Sequence, residues 1–160
     1  MDKDKQAKDA LIKAYKLAPH PEGGYYREVF RSHLLVESPV IKESRSAATH
    51  IYFLLGRGDI SRFHRVIHDE IWNFYKGAPL ILYQYDGTSL THTRIGPECN
   101  AYTTVVPGGT WQAAESAGRY SLVGCTVAPG FDFSDLTFLA DAPDDRDAFI
   151  QAHDDFKHFL

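Results

Sequence analysis

The chain has 160 residues, 44% hydrophobic and 24% charged, which is enough to bury a proper core and excludes general disorder. Its net charge of −4 excludes the basic footprint that nucleic acid or an anionic membrane selects. No apolar run approaches the ~20 residues of a membrane span, and the charged opening MDKDKQAKDA is unlike a secretion signal. One domain over residues 1–160, cytoplasmic, with a small-molecule or protein partner, is expected.

Residues 3–17 read as a helix, with Ala7, Leu11, Ile12 and Tyr15 at helical spacing and Pro19 and Pro21 ending it. Gly23-Gly24 make a turn, and Tyr25 to Arg31 alternate as a strand. From Arg31 to Ser46 short apolar runs around Pro39 predict a loop or edge strand, since Pro withholds a ladder donor. Strands then follow over residues 47–56, Arg62 to Ile67, Glu70 to Tyr75 and Leu80 to Tyr85, and after the Asp86-Gly87 hairpin signal over Leu90 to Ile95. Ala101 to Val106, Trp111 to Glu115, Tyr120 to Val127 and Phe131 to Leu139 complete the predicted strands. Asp141-Ala142-Pro143 reads as a helix start, with Phe149, Ala152, His153, Phe156 and Leu160 along one face. Short strands between Gly/Pro turns, flanked by short N- and C-terminal helices, predict a mainly β protein of barrel or sandwich type.

The chemistry-bearing stretch is Gly58 to Gly77, GDISRFHRVIHDEIWNFYKG, and VVPGGTWQAA from Val105 to Ala114 reads as its partner. On a strand His64, Val66 and His68 share one face. A tight turn near His68-Asp69 would return Glu70 beside His64 on the partner strand. An imidazole and a carboxylate aimed into a barrel mouth suit either acid–base work or a metal site. Trp72 and Phe74 share parity with Glu70 and are expected inside, with Asn73 and Tyr75 facing the other way. His68 is read as an exposed turn residue, and Cys99 and Cys125 as a loop thiol and a buried one. There is no GxSxG, P-loop, GxGxxG or Cys–His signature.

The spacing from Gly58 through His64 and Glu70 to Gly77 resembles the first motif of the cupin superfamily, G-x5-H-x-H-x3-4-E-x6-G. Pro107 to Gln112 resembles the second, P-x-G-x-x-H. More narrowly, HPEGGYYRE, FHRVIHDEIWNFYKGAPL, VVPGGTWQAA and LVGCTVAPGFDF together resemble the DUF985 or Cupin-5 family. The resemblance implies an RmlC-like jelly-roll barrel, commonly dimeric, and a pocket lined from both motifs. Metal-binding cupins hold their ion with two His and a Glu of motif one and a His of motif two. Here His64 and Glu70 stand at two of those positions, and Val66 and Gln112 at the others. Valine cannot coordinate and an amide oxygen is a poor partner for imidazole on zinc or iron, so no tightly held cofactor is expected. Were a divalent metal present, His64, Glu70 and His68 would hold it.

Three readings stay open at this point. The first is a small-molecule-binding barrel, for a carbohydrate-derived ligand, acting as a metal-free epimerase or isomerase. His64, oriented by Glu70, is then the base and a tyrosine, Tyr75 or Tyr26, the acid. Arg27, Trp72, Phe74, Trp111 and Gln112 are its binding residues, Arg27 to hold a carboxylate or phosphate. The second is a non-catalytic binding or storage-type barrel. The third is a divalent-metal oxygenase or isomerase. A homodimer is expected, because the N-terminal strand would otherwise leave an exposed sheet edge.

Overall fold

A computed structural model describes residues 3–160. In chain order the elements are helix α1 (Lys3–Tyr15) and strands β1 (Ala18–Pro19), β2 (Tyr25–Arg31), β3 (Leu35–Glu37), β4 (Ser44–Ser46), β5 (Thr49–Gly56), β6 (Ile60–Val66), β7 (Asp69–Gly77), β8 (Leu80–Tyr85), β9 (Leu90–Ile95), β10 (Thr103–Val106), β11 (Trp111–Ser116), β12 (Tyr120–Ala128) and β13 (Leu136–Phe138), then helix α2 (Pro143–Ala152). A six-stranded sheet runs β1-β2-β5-β12-β7-β10 and a five-stranded sheet β13-β6-β11-β8-β9, while β3 and β4 pair with each other. The architecture is mainly β with short terminal helices, as a cupin jelly roll requires.

Alternation along the strands produces three apolar layers. Phe53, Leu55, Trp72 and Val123 of the larger sheet meet Leu80, Leu82, Ile95 and Ala114 of the smaller one in the layer between the sheets. Residues of opposite parity on the smaller sheet, Phe63, Tyr85 and Trp111, pack outward against Leu139, Phe149 and Phe159 of the C-terminal segment. On the outer face of the larger sheet, Leu54 and Leu122 take Leu11, Ile12 and Tyr15 of α1.

Three local expectations need correction. First, β6 and β7 do not fold back on each other as a hairpin. At Ile67-His68 the chain crosses from the smaller sheet to the larger, and Pro107-Gly108-Gly109 makes the return crossing between β10 and β11. The two corners are fastened together: Gly109 N donates to Val66 O at 2.8 Å and Gly108 N to Asp69 Oδ1 at 2.8 Å. Second, only Leu136–Phe138 of the segment 131–139 is strand. Asp132 accepts from Ser134 N and sets a 3₁₀ turn in place of extended chain. Third, α2 stops at Ala152 and Asp154–Phe159 continues as 3₁₀, so Phe159 takes the buried position in place of a continuous helical stripe.

Candidate active site

A cavity of about 530 Å³ opens at one end of the inter-sheet space, between β2, β5 and β12 on one side and β6 on the other. Its polar end holds His20, Glu22, His64 and Glu70, with Ile51, Val66 and Val127 as apolar walls. All four polar residues are 9% exposed or less, so none can shed its hydrogen-bonding needs into bulk water.

His64 sits on β6 directly across from Gln112 on β11, and both are buried. Its Nδ1 lies 2.7 Å from the Arg62 carbonyl, which only accepts, so Nδ1 carries the hydrogen and Nε2 is left with a lone pair. Facing Nε2 at 3.1 Å is Oε2 of Glu22, whose other oxygen accepts from Ser61 Oγ at 3.0 Å. Burial pushes the Glu22 carboxyl up to about 8 and, as the largest influence, pulls the His64 pKa down. The pair is therefore a protonated carboxyl donating to a neutral imidazole, one proton held between two bases.

A tight loop delivers Glu22. His20 N donates to Gly24 O and Gly23 N to His20 O, and Arg62 N on β6 donates to Glu22 O at 2.8 Å. Gly23 adopts φ +111°, and a Cβ there would stand 2.0 Å from the Ile60 carbonyl oxygen, so this approach to β6 needs glycine. The same loop fixes His20: its Nδ1 accepts from Glu22 N at 3.1 Å, placing its hydrogen on Nε2. Burial, then the nearby His64, lowers His20 to about 3, so it is neutral throughout the physiological range.

Glu70 reaches the cavity from the facing sheet, and its partner is Gln112, which donates through Nε2 to Oε2 at 2.5 Å. The amide orientation follows from Trp72, because an indole N–H only donates and its 2.9 Å bond fixes Oε1 as the acceptor. Burial first, then the Glu22 carboxyl, raises Glu70 to about 7, against the lowering pull of His64 and Gln112. The Cys125 thiol bonds the same carboxyl and is pushed well up by burial, which leaves it a poor nucleophile.

The expected His64–Glu70 pair is thus two pairs, His64 with Glu22 and Glu70 with Gln112, in one cavity. Trp72 acts on the cavity only through Gln112. Phe74 packs against the inter-sheet core and Tyr102. Trp111, opposite in parity to Gln112, faces the C-terminal segment with the Arg65 guanidinium over its ring at 4.3 Å. Tyr75 is 46% exposed on the outer face of the larger sheet, bonded to His50 Nε2 at 2.8 Å. Arg27 borders the cavity, but its guanidinium lies over Tyr52 at 5.7 Å, on the face that carries α1. His68 is a correction: it is 4% exposed, not a solvated turn residue, and is bonded to Ser38 Oγ at 2.7 Å under the β3–β4 hairpin. Tyr26, the other tyrosine considered, does border the cavity. Sequence reasoning missed His20, Glu22 and Ser61; the Gly-Gly pair after Pro21-Glu22 was the one signal that a polar residue there is held against the barrel.

The donor set does not fit the metal of metal-holding cupins. His64 Nε2 is taken by Glu22 and the Gln112 oxygen by Trp72, while Val66 offers nothing and His68 is turned to Ser38. Among the described residues no group of three His, Cys, Asp or Glu is arranged to hold an ion.

Residues 9–139 match the Cupin_5 family, described as Cupin superfamily (DUF985). The chain belongs to that family. A Saccharomyces cerevisiae protein, YML079W, described as uncharacterized, is 30% identical over 94% of this chain and 78% of its own. Among solved structures, a hypothetical protein from Leishmania major superposes with TM-score 0.84 at 30% identity, over 95% of this chain and 97% of that one. A Shewanella oneidensis protein gives 0.74 at 35% identity, over 89% and 94%. Bacillus subtilis oxalate decarboxylase, at 15% identity and TM-score 0.57 over 78% of this chain and 30% of its own, is similar in fold alone. In this Cupin_5 chain His64, Val66, Glu70 and Gln112 stand at the ligand positions, and the last two join Trp72 in a carboxyl–amide–indole chain.

Proposed function

We propose that this cavity binds a small molecule and moves a proton at a carbon beside a carbonyl, as an epimerase or isomerase does without metal. The observation that carries the reading is the Glu22–His64 contact at 3.1 Å in the cavity that also receives Glu70. Proton abstraction needs a base poised near neutrality and a separate acid to return the proton. Glu70, raised to about 7, is partly ionised at neutral pH and suits the base. Glu22, raised to about 8 and bonded to His64, suits the acid, and the proton it gives up is regained from solvent as Glu70 releases the one it took. The C–H bond breaks toward Glu70 and its electrons form an enediolate with the carbonyl. A proton from the Glu22–His64 pair then restores a C–H bond, so nothing is oxidised or reduced. Neutral His20, with its hydrogen on Nε2, supports the developing oxyanion as a donor.

Incubation in deuterium oxide with a panel of aldoses, ketoses and sugar lactones tests this by NMR. Deuterium entering beside the carbonyl of one compound, lost in Glu70→Gln and His64→Ala, is the expected result. Tight binding of a panel compound with no exchange would replace the enzyme by a binding barrel, the reading that the Val66 and Gln112 positions favour.

A homodimer is also proposed. Its support is the open edge of β2, where β1 pairs only with Tyr25 and Tyr26 and leaves Val29 and Phe30, 37% and 54% exposed, at the rim of the larger sheet. Light scattering at micromolar concentration checks it, and a monomeric mass overturns it.

A further inference from the structure

The cavity's chemistry is uneven from floor to rim, and that unevenness bears on what fits. At the floor, Glu22 and Glu70 are 7% exposed each and face one space, Glu22 from the loop before β2 and Glu70 from β7 of the larger sheet. A ligand anion placed there would lose its water and would meet the partly ionised Glu70, with no cation on the floor to offset it.

The rim does not compensate. Of its cations, Arg31 is already committed: Nε and Nη2 each donate to the Glu28 carboxylate at 2.8 Å, and Nη2 also donates to Phe131 O at 3.0 Å. Arg27 is turned onto Tyr52. Lys16 is a single ammonium on a rim that also carries the carboxylates of Glu28 and Asp132. No forked guanidinium is left for a carboxylate or phosphate.

The rim offers aromatic surface in place of charge. Phe133, 50% exposed, lies 5.0 Å from Phe131 and 6.4 Å from Tyr26 between ring centroids, with His20 5.8 Å away. Such faces suit the C–H side of a sugar ring, while carboxyls and imidazoles below suit hydroxyls.

We infer that the compound taken is uncharged: a neutral hydroxy-carbonyl compound of sugar size, its hydroxyls at Glu22 and Glu70 and its ring against Phe133. The inference rests on the small-molecule reading above but not on proton transfer. It assigns Phe133 a stacking role and withdraws Arg27 as an anion clamp.

The test is a matched panel: neutral hexoses, pentoses and their lactones, the same sugars as terminal phosphates, and the same as uronic acids. Binding is read by thermal shift and calorimetry at neutral pH. A neutral compound should bind at least about tenfold more tightly than its phosphate or uronate. Phe133→Ala, at an exposed site, should weaken it about tenfold with the melting temperature of the free protein unchanged. Glu70→Gln, of the same shape, removes the charge on the floor and should narrow the gap between neutral and anionic members. Tighter binding of any anionic member than of its neutral counterpart overturns the inference, as does a panel in which no neutral member binds. Binding of a neutral sugar without deuterium exchange leaves this inference standing and removes the proton-transfer reading. Exchange seen only with an anionic sugar does the reverse.

Discussion

Glu22 and His64 lie 3.1 Å apart across a boundary between the N-terminal loop and the barrel wall, and the imidazole has a fixed tautomer because its other nitrogen is tied to Arg62. That fixed tautomer makes the direction of proton flow a property of the fold. Replacing Glu22 with Gln keeps the shape and puts an amide donor opposite Nε2 but removes the exchangeable acid. Exchange into a substrate should fall by about 10²–10⁴-fold, the usual worth of a placed acid or base, with the melting temperature held or raised. NMR exchange and a thermal melt on the same sample check both halves.

The buried ionisable groups set the pH dependence of stability. Glu22 and Glu70 have folded pKa values of about 8 and about 7, above their ordinary 4.5, so the folded state holds their protons longer. Their contribution is complete below pH 4.5 and is lost as pH rises through 7 and 8. His20 runs the other way: lowered from 6.5 to about 3, it contributes above pH 6.5 and is lost as pH falls toward 3. The melting temperature should peak between about pH 4.5 and 6.5 and decline on both sides. Glu22→Gln should flatten the alkaline decline and leave the acid one.

The metal donor set can be rebuilt. Val66 shares the face of His64 on β6, and Gln112 is the cross-strand neighbour of His64 on β11. Val66→His with Gln112→His restores three imidazoles and Glu70, the set of metal-holding cupins. Untagged wild-type protein should carry divalent metal well below one equivalent by elemental analysis. The double variant should approach one equivalent and gain melting temperature on adding zinc or manganese. An equivalent of metal in the wild type would show that His64 abandons Glu22 in solution.

At the sheet corners, a Cβ on Gly108 would lie 2.2 Å from the Ile67 carbonyl oxygen, which belongs to the backbone and cannot rotate away. Gly108→Ala should destabilise by about 2–4 kcal/mol in urea titration, since the corner must open to admit it. Ser38→Ala, which leaves His68 Nε2 without its hydroxyl, should cost about 1–3 kcal/mol.

Periodicity and turn chemistry were enough to read β2, β8 and β9 to the residue, because each run is bounded on at least one side by a strong turn or Gly/Pro signal. Segment 131–139 was not legible. Its apolar spacing mimics a strand, while the Asp132 side chain outbids the ladder for the Ser134 N–H. The motifs marked His64 and Glu70 as facing one space, yet not their partners. Trp72 was placed inside by parity, but its bond to Gln112 joins residues of different sheets, a relation that spacing does not encode. His68 misled for the same reason: two residues past a strand end usually means solvent, and here the β3–β4 hairpin lies over it.

The Gly23-Gly24 loop lends the cavity its acid from outside both cupin motifs. Inheritance of barrel and of reactivity is thereby separable: a relative can exchange Glu22 for another side chain without disturbing one rung of either sheet. Within this chain the same arrangement makes β1 and the loop that follows it a separable half of the chemistry. A transient peeling of β1 and its loop would leave the barrel standing and His64 Nε2 without the Glu22 carboxyl, an off-state reached by local fraying alone.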